Sequence, residues 1–176
     1  MSVRPITFLF SVFAITILLW GCTNTADRQP VNYINPITVY FTPGTECENN
    51  IIAEINHSNK IDIAVYSITN PQIGNAIINA HKRGAHIRII TDRTQSRGKS
   101  ALTDKFTSAD IPLITNKKHK IEHNKFAIFD NNRIVSGSYN WTTNASKYNS
   151  ENCIFFYQPN QEYTTRFEQL WQMYNK

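Results

Sequence analysis

The chain has 176 residues, 41% of them hydrophobic, with 18 Lys plus Arg against 13 Asp plus Glu and a formal net charge of +5. That length supports one core of ordinary size, and the lack of internal repeats or low-complexity stretches excludes a solenoid or a disordered chain. The three cysteines and five histidines show no metal-ligand spacing: His81 and His86 straddle Gly84, a poor geometry for one helical face.

Arg4 precedes Ile6 to Gly21, sixteen residues with neither charge nor proline, which fits a signal-peptide core and is short for a membrane span. Leu19-Trp20-Gly21 before Cys22 resembles a bacterial lipoprotein cleavage box, with Cys22 as the lipidated first residue of the mature chain. Trp20 departs from the small residue usual there, which leaves an uncleaved anchor or free secretion open. Residues 1–21 are therefore expected to be a signal segment, 22–36 a polar tether and 37–176 the folded domain, exported to the cell envelope or periplasm or secreted. Any membrane contact is expected through the N-terminal anchor alone.

Ile37 to Phe41 alternates and predicts a strand, and Glu46 to His57 carries Ile51, Ile52 and Ile55 at helical spacing. Ile61 to Ser67 reads as a strand. Asn70 caps a helix that opens on Pro71 and is closed by Gly84. His86 to Thr91 is the next strand, and Ser100 to Ala109 a short helix leading to a strand at Pro112 to Thr115. This alternation predicts a parallel sheet covered by helices.

The second half begins with the apolar run Phe126 to Phe129, a buried strand, and turns at Asn131-Asn132 into a second strand, Arg133 to Ser138. A loop over Asn140 to Ser150 leads to a strand at Asn152 to Gln158. The last helix aligns Tyr163, Phe167, Leu170, Trp171 and Tyr174 on one stripe, most simply core packing. The expected fold class is α/β, a mixed and largely parallel sheet sandwiched by helices. With Cys22 acylated, Cys47 and Cys153 are left either as a disulfide in an oxidising compartment or with Cys153 as a buried free thiol.

Charge is unevenly spread. Residues 81–125 carry a net +7, and the rest of the mature chain a net −3. A polyanion would be steered to that stretch, with binding that weakens as salt rises. Arg93, Arg97 and Lys99 in one loop, and Lys118 and Lys120 in another, are the candidate phosphate contacts, whereas Lys82, Arg83 and Lys105 read as solvated helix charges.

The basic excess ends at His123, Lys125 and Asp130, spaced H-x-K-x4-D, and after six more residues the chain reads G-S-Y-N, supplying Ser138 and Asn140. An imidazole can attack phosphorus, an ammonium can hold a phosphate oxygen, and neutral donors can complete the cradle. Strand alternation puts His123 and Lys125 on one face and turns Asp130 away, toward holding the strand or a loop. Ser138 and Asn140 share parity and are expected to face the cleft.

The pattern H-x-K-x4-D-x6-G-S-x-N resembles the HKD motif of the phospholipase D superfamily, and from about Ile37 onward the chain looks like that group's short, single-motif bacterial endonucleases. F-T-P-G, V-Y-S-I-T, A-H-K-R-G-A-H-I-R-I-I-T-D, G-S-Y-N-W-T and N-S-E-N stand in the order such nucleases show. The resemblance implies that superfamily's fold, a phosphohistidine intermediate, and neither metal nor cofactor, so activity should survive chelators. Glu151 matches the family carboxylate that orients the nucleophilic imidazole. Larger members bring two motif copies into one site, so a single-motif chain is expected to form a homodimer that unites two His123 side chains. One imidazole attacks, the other protonates the leaving oxygen, and a bell-shaped pH profile centred within about two units of pH 6.5 follows.

The implied activity is cleavage of DNA or RNA with little sequence preference. A phospholipase D or phosphatidyl transferase is the rival enzyme, and an inert nucleic-acid-binding module the rival of another class.

Overall fold

A computed structural model describes residues 37–176, and the expected signal segment, Cys22 and the tether lie outside the described residues. The elements in chain order are β1 (Ile37–Phe41), α1 (Glu46–His57), β2 (Lys60–Val65), α2 (Pro71–Lys82), β3 (His86–Thr91), α3 (Thr103–Ser108), β4 (Leu113–Thr115), β5 (Lys125–Phe129), β6 (Arg133–Gly137), α4 (Thr143–Lys147), β7 (Asn152–Phe156) and α5 (Gln161–Tyr174).

Local chemistry sets the helix ends. The Asn70 side-chain oxygen accepts from the backbone N–H groups of Gln72 and Ile73 at 2.9 and 3.3 Å, Pro71 occupies the first turn, and Gly84 takes a φ of +96° after the last turn. At the β5–β6 turn, Asp130 and Asn131 both adopt positive φ, 51° and 61°, and the Asn132 N–H donates to the Phe129 carbonyl at 3.1 Å. Such a turn matches the right-handed twist of the strands it joins, and Asp and Asn tolerate the left-handed region.

The seven strands form one sheet in the order β1-β7-β6-β5-β2-β3-β4. Alternate residues face two cores. Ile61, Ile63, Ile89, Ala127, Phe129, Val135 and Phe155 meet α1 to α4, whereas Ala64, Ile90, Phe126, Ile128 and Ile134 meet α5 through Phe167, Leu170 and Tyr174. The aromatic stripe of α5 is therefore core, and the architecture is the expected α/β sandwich.

Four expectations change in detail. Parallel pairing is confined to β2-β3-β4, and the four other neighbour pairs are antiparallel, so the sheet is mixed rather than largely parallel. β1 leaves the parallel block and lies at the opposite edge against β7. The helix expected from Ser100 starts at Thr103, and the loop after Asn140 contains α4, whose Thr142 cap accepts from the Ala145 N–H at 3.1 Å.

Cys47 and Cys153 form a disulfide across 106 residues of chain, clipping α1 to β7. The register that makes this possible is that of β1 on β7, in which Tyr40 stands opposite Cys153.

Candidate active site

Because β5 runs antiparallel to β2 and to β6, the start of β5 lies beside the ends of both, with Val65 opposite Lys125 and Phe126 opposite Ser136. The residues after β2, before β5 and after β6 therefore converge. His123 sits in the segment leading into β5 rather than in the strand, so its placement owes nothing to alternation. Its imidazole is exposed and lies 4.7 Å from the Tyr66 ring, centroid to centroid. Lys125 Nζ lies 5.0 Å from the centroid of the same ring and donates to the His123 carbonyl at 2.8 Å. Tyr66 thus supports both groups, a role with no local signal in the residues around it.

Burial pushes the Lys125 ammonium below the ordinary lysine value, against the opposing pull of Glu151 and Glu122. A desolvated ammonium is a stronger electrostatic partner for a phosphate oxygen than a solvated one.

The segment before His123 is tied down. Glu122 is 2% exposed, its Oε1 accepts from the Asn124 amide at 2.5 Å, and its Oε2 accepts from the Tyr174 hydroxyl at 2.8 Å. His119 Nδ1 bonds the same hydroxyl, and burial together with Glu122 raises the Tyr174 phenol well above its usual value. Asp92, at the end of β3, accepts from the Glu122 N–H at 3.0 Å and from those of Thr94 and Gln95 at 2.8 and 3.1 Å. One buried carboxylate thereby joins the loop carrying Arg93, Arg97 and Lys99 to the loop carrying His123.

The other expected residues separate. Asp130 lies at the far end of β5: its Oδ1 accepts from the N–H groups of Asn59 and Lys60 at 2.8 and 2.9 Å, and its Oδ2 pairs with Arg133 at 3.2 Å. It holds the hairpin against β2, at the end of β5 opposite to His123. Ser138 follows the end of β6, and its Oγ accepts from the Asn152 N–H at 3.0 Å, so it fastens β6 to β7 instead of standing free in the cleft. Asn140 is partly buried with its Oδ1 unpartnered, an amide available to a ligand. Glu151 accepts from the Asn149 amide at 3.0 Å and forms no hydrogen bond with His123 within the chain.

Arg93, Arg97, Lys99, Lys118 and Lys120 are exposed, and none forms an ion pair among the described residues. A cleft of about 320 Å³ opens beside His123, Lys125 and Ser136 and is closed by Glu162, Tyr163 and Arg166 of α5. Sequence reasoning missed these α5 residues. Glu162 and Arg166 are four apart, which places them on one helix face, but nothing local says that this face borders the motif. Among the described residues no group of three His, Cys, Asp or Glu side chains is placed to hold a metal ion.

Comparison with known proteins agrees with this fold. A family profile described as "Cardiolipin synthase, PLD-like domain" matches residues 51–171. The chain is 34% identical over 116 residues to a mitochondrial cardiolipin hydrolase of Chlamydomonas reinhardtii, covering 65% of this chain and 52% of that one. It is 32% identical over 136 residues to a phospholipase D of Rickettsia conorii, covering 77% and 67%. The chain thus spans about half to two thirds of the length of these curated relatives. Among solved structures it resembles the phospholipase D family member Nuc from Salmonella typhimurium, with a TM-score of 0.75 and 25% identity over 80% of this chain and 96% of that one. With the H-x-K-x4-D motif set in a seven-stranded mixed sheet between helices, the chain belongs to the phospholipase D superfamily.

Proposed function

We propose that this protein is an exported, metal-independent phosphodiesterase that cuts DNA or RNA through a phosphohistidine in a homodimeric site. The observation that carries the reading is the exposed His123 imidazole beside the desolvated Lys125 ammonium, the one histidine lining the cleft among the described residues. The basic loops, whose Arg93, Arg97, Lys99, Lys118 and Lys120 form no ion pair among the described residues, favour a polyanion. The Cys47–Cys153 disulfide favours an oxidising compartment, and lipidation at Cys22 would supply the membrane tether.

In the first step the neutral imidazole of one His123 forms an N–P bond as the P–O bond to the leaving group breaks. The His123 imidazolium of the second copy gives its proton to the departing oxygen, then, as the neutral base, takes one from water. That water breaks the N–P bond and releases a phosphomonoester. Lys125 and Asn140 hold the charge that develops on the phosphorane oxygens. Since Glu151 forms no hydrogen bond with His123 in its own chain, orientation of the imidazole by Glu151 is assigned to the second copy's His123.

A second reading, hydrolysis of phospholipid head groups, is favoured by the names of the curated relatives and by Ile121, 50% exposed two residues before His123. The two are separated by incubating the purified protein and its His123→Ala form with plasmid DNA, single-stranded RNA and phosphatidylcholine vesicles in EDTA. Nucleic-acid cleavage lost in the variant supports the nuclease. Choline release without such cleavage overturns it, and binding without any cleavage points to an inert module. A strictly monomeric yet fully active preparation contradicts the shared site.

A further inference from the structure

A second groove, of about 550 Å³, runs from Tyr66 away from the α5 cleft. Its ten lining residues comprise six that carry hydroxyls and four that carry side-chain amides, with no charged and no aliphatic side chain among them. Tyr66 is the wall it shares with the catalytic centre: one edge of the ring meets His123, and its hydroxyl accepts from Gln95 Nε2 at 3.0 Å. Asn140 lines the same groove with its buried, unpartnered Oδ1. Buried polar atoms are nearly always satisfied, so an orphan acceptor in a groove that shares Tyr66 with the reactive imidazole is a place for a ligand donor.

The lining selects the occupant. An acyl chain would leave these hydroxyls and amides stripped of water and unpaired, at a cost for each. A second anionic group would find no cation in the walls. A nucleoside offers alternating donors and acceptors on its base edge and hydroxyls or ether oxygen on its sugar, which Asn, Gln, Ser and Thr side chains match. The loop that supplies Gln95 and Ser100 to the groove also carries Arg93, Arg97 and Lys99, all exposed, so the flanking phosphates of a strand lie within the reach of that loop.

We propose that this groove is a nucleoside subsite, which takes the base and sugar on one side of the scissile phosphate while His123 attacks the phosphorus. The inference rests on the nuclease reading and deepens it: selection for nucleic acid over lipid comes from neutral hydrogen bonding in the groove as well as from the basic loops. Thr143 and Gln95 are the positions that test it, since both line the groove and neither is hydrogen-bonded to His123; Gln95 bonds the Tyr66 hydroxyl, so Thr143, which has no such bond, is the control for an effect passed through Tyr66.

The test compares two substrates on one enzyme preparation: bis(p-nitrophenyl) phosphate, which has no nucleoside, and the p-nitrophenyl ester of thymidine 5′-phosphate. In Gln95→Met and Thr143→Val the ratio of kcat/KM for the nucleoside ester to that for the simple diester should fall about three- to tenfold, the effect of one lost neutral hydrogen bond. Because both rates come from the same folded molecules, any loss of folded protein cancels. A ratio equal to wild type in both variants overturns the subsite, whatever happens to the separate rates. Failure of the nuclease reading would look different: the unmodified protein would release choline and cleave neither nucleic acid nor the nucleoside ester.

Discussion

At the scale of single residues, His123 and Asp130 belong to one motif but occupy opposite ends of β5, and their substitutions should separate. His123 is exposed and its ring accepts no structural duty beyond contact with Tyr66. His123→Ala should therefore lower turnover by at least about a thousandfold with an unchanged melting temperature, read from kcat and thermal unfolding of the same preparation. Asp130 satisfies two backbone donors and an arginine. Asp130→Ala should cost about 2 kcal/mol of stability while turnover per folded molecule is retained; lost activity at a wild-type melting temperature contradicts this. Lys125 carries a pH prediction. Burial disfavours its charged form, so the proton leaves below the ordinary lysine value of 10.5. Affinity for inorganic phosphate, followed by calorimetry from pH 7 upward, should begin to fall before that value is reached, and constant affinity through it would count against Lys125 as the phosphate contact.

Among elements, the docking of α5 matters most, because this helix covers one face of the sheet and closes the cleft beside His123. Arg88 of β3 is the fastener. It pairs with Asp62 at 2.7 Å and with Glu168 of α5 at 2.6 Å, and its guanidinium lies 4.8 Å from the centroid of Phe167 and 5.3 Å from that of Trp171. Asp62 is only 2% exposed, so removal of Arg88 leaves a buried carboxylate without its main partner. Arg88→Ala should cost about 3–5 kcal/mol, measured by denaturant unfolding; a cost below about 1 kcal/mol, the surface-pair scale, would contradict that. The hydrogen bond from Arg88 also lowers the pKa of the Glu168 carboxyl. Its contribution is therefore present above the unfolded carboxylate value and is lost as pH falls through the lower, folded one.

For the whole molecule, the disulfide decides how the edge of the sheet is held. Cys47–Cys153 closes a span of 106 residues, and chain-entropy reasoning assigns a cross-link of that length up to about 4–5 kcal/mol, with about 2–4 typical of measured cases. Reduction, or Cys47→Ser with Cys153→Ser, should lower the melting temperature by several degrees. An unchanged melting temperature under reductant would show that β1, α1 and β7 hold together without it. The same clip fixes the chain two residues after Glu151, the residue that the homodimeric mechanism needs to present to a second copy.

Much of this protein is set by local chemistry and is therefore readable without a fold. The bounds of α1 and α2 follow from spacing, proline and an asparagine cap, and the positions of His123 and Lys125 at the start of a buried strand follow from the apolar run after them. The holding role of Asp130 comes instead from the turn after β5, where its positive φ and its bonds to Asn59, Lys60 and Arg133 place it outside any regular strand. Parity fails for Ser138 because β6 has already ended at Gly137, and it fails for His123 because the strand has not yet begun. Other features depend on contacts between residues far apart in the chain. The place of β1 at the far edge, the closing of Cys47 and Cys153 into a disulfide rather than a free buried thiol, the support of His123 by Tyr66, and the arrival of Arg166 and Tyr174 from the last helix are all decided by which strands pair and which face each helix covers. Sequence periodicity states which side of an element is apolar; only the assembled sheet states what that side meets.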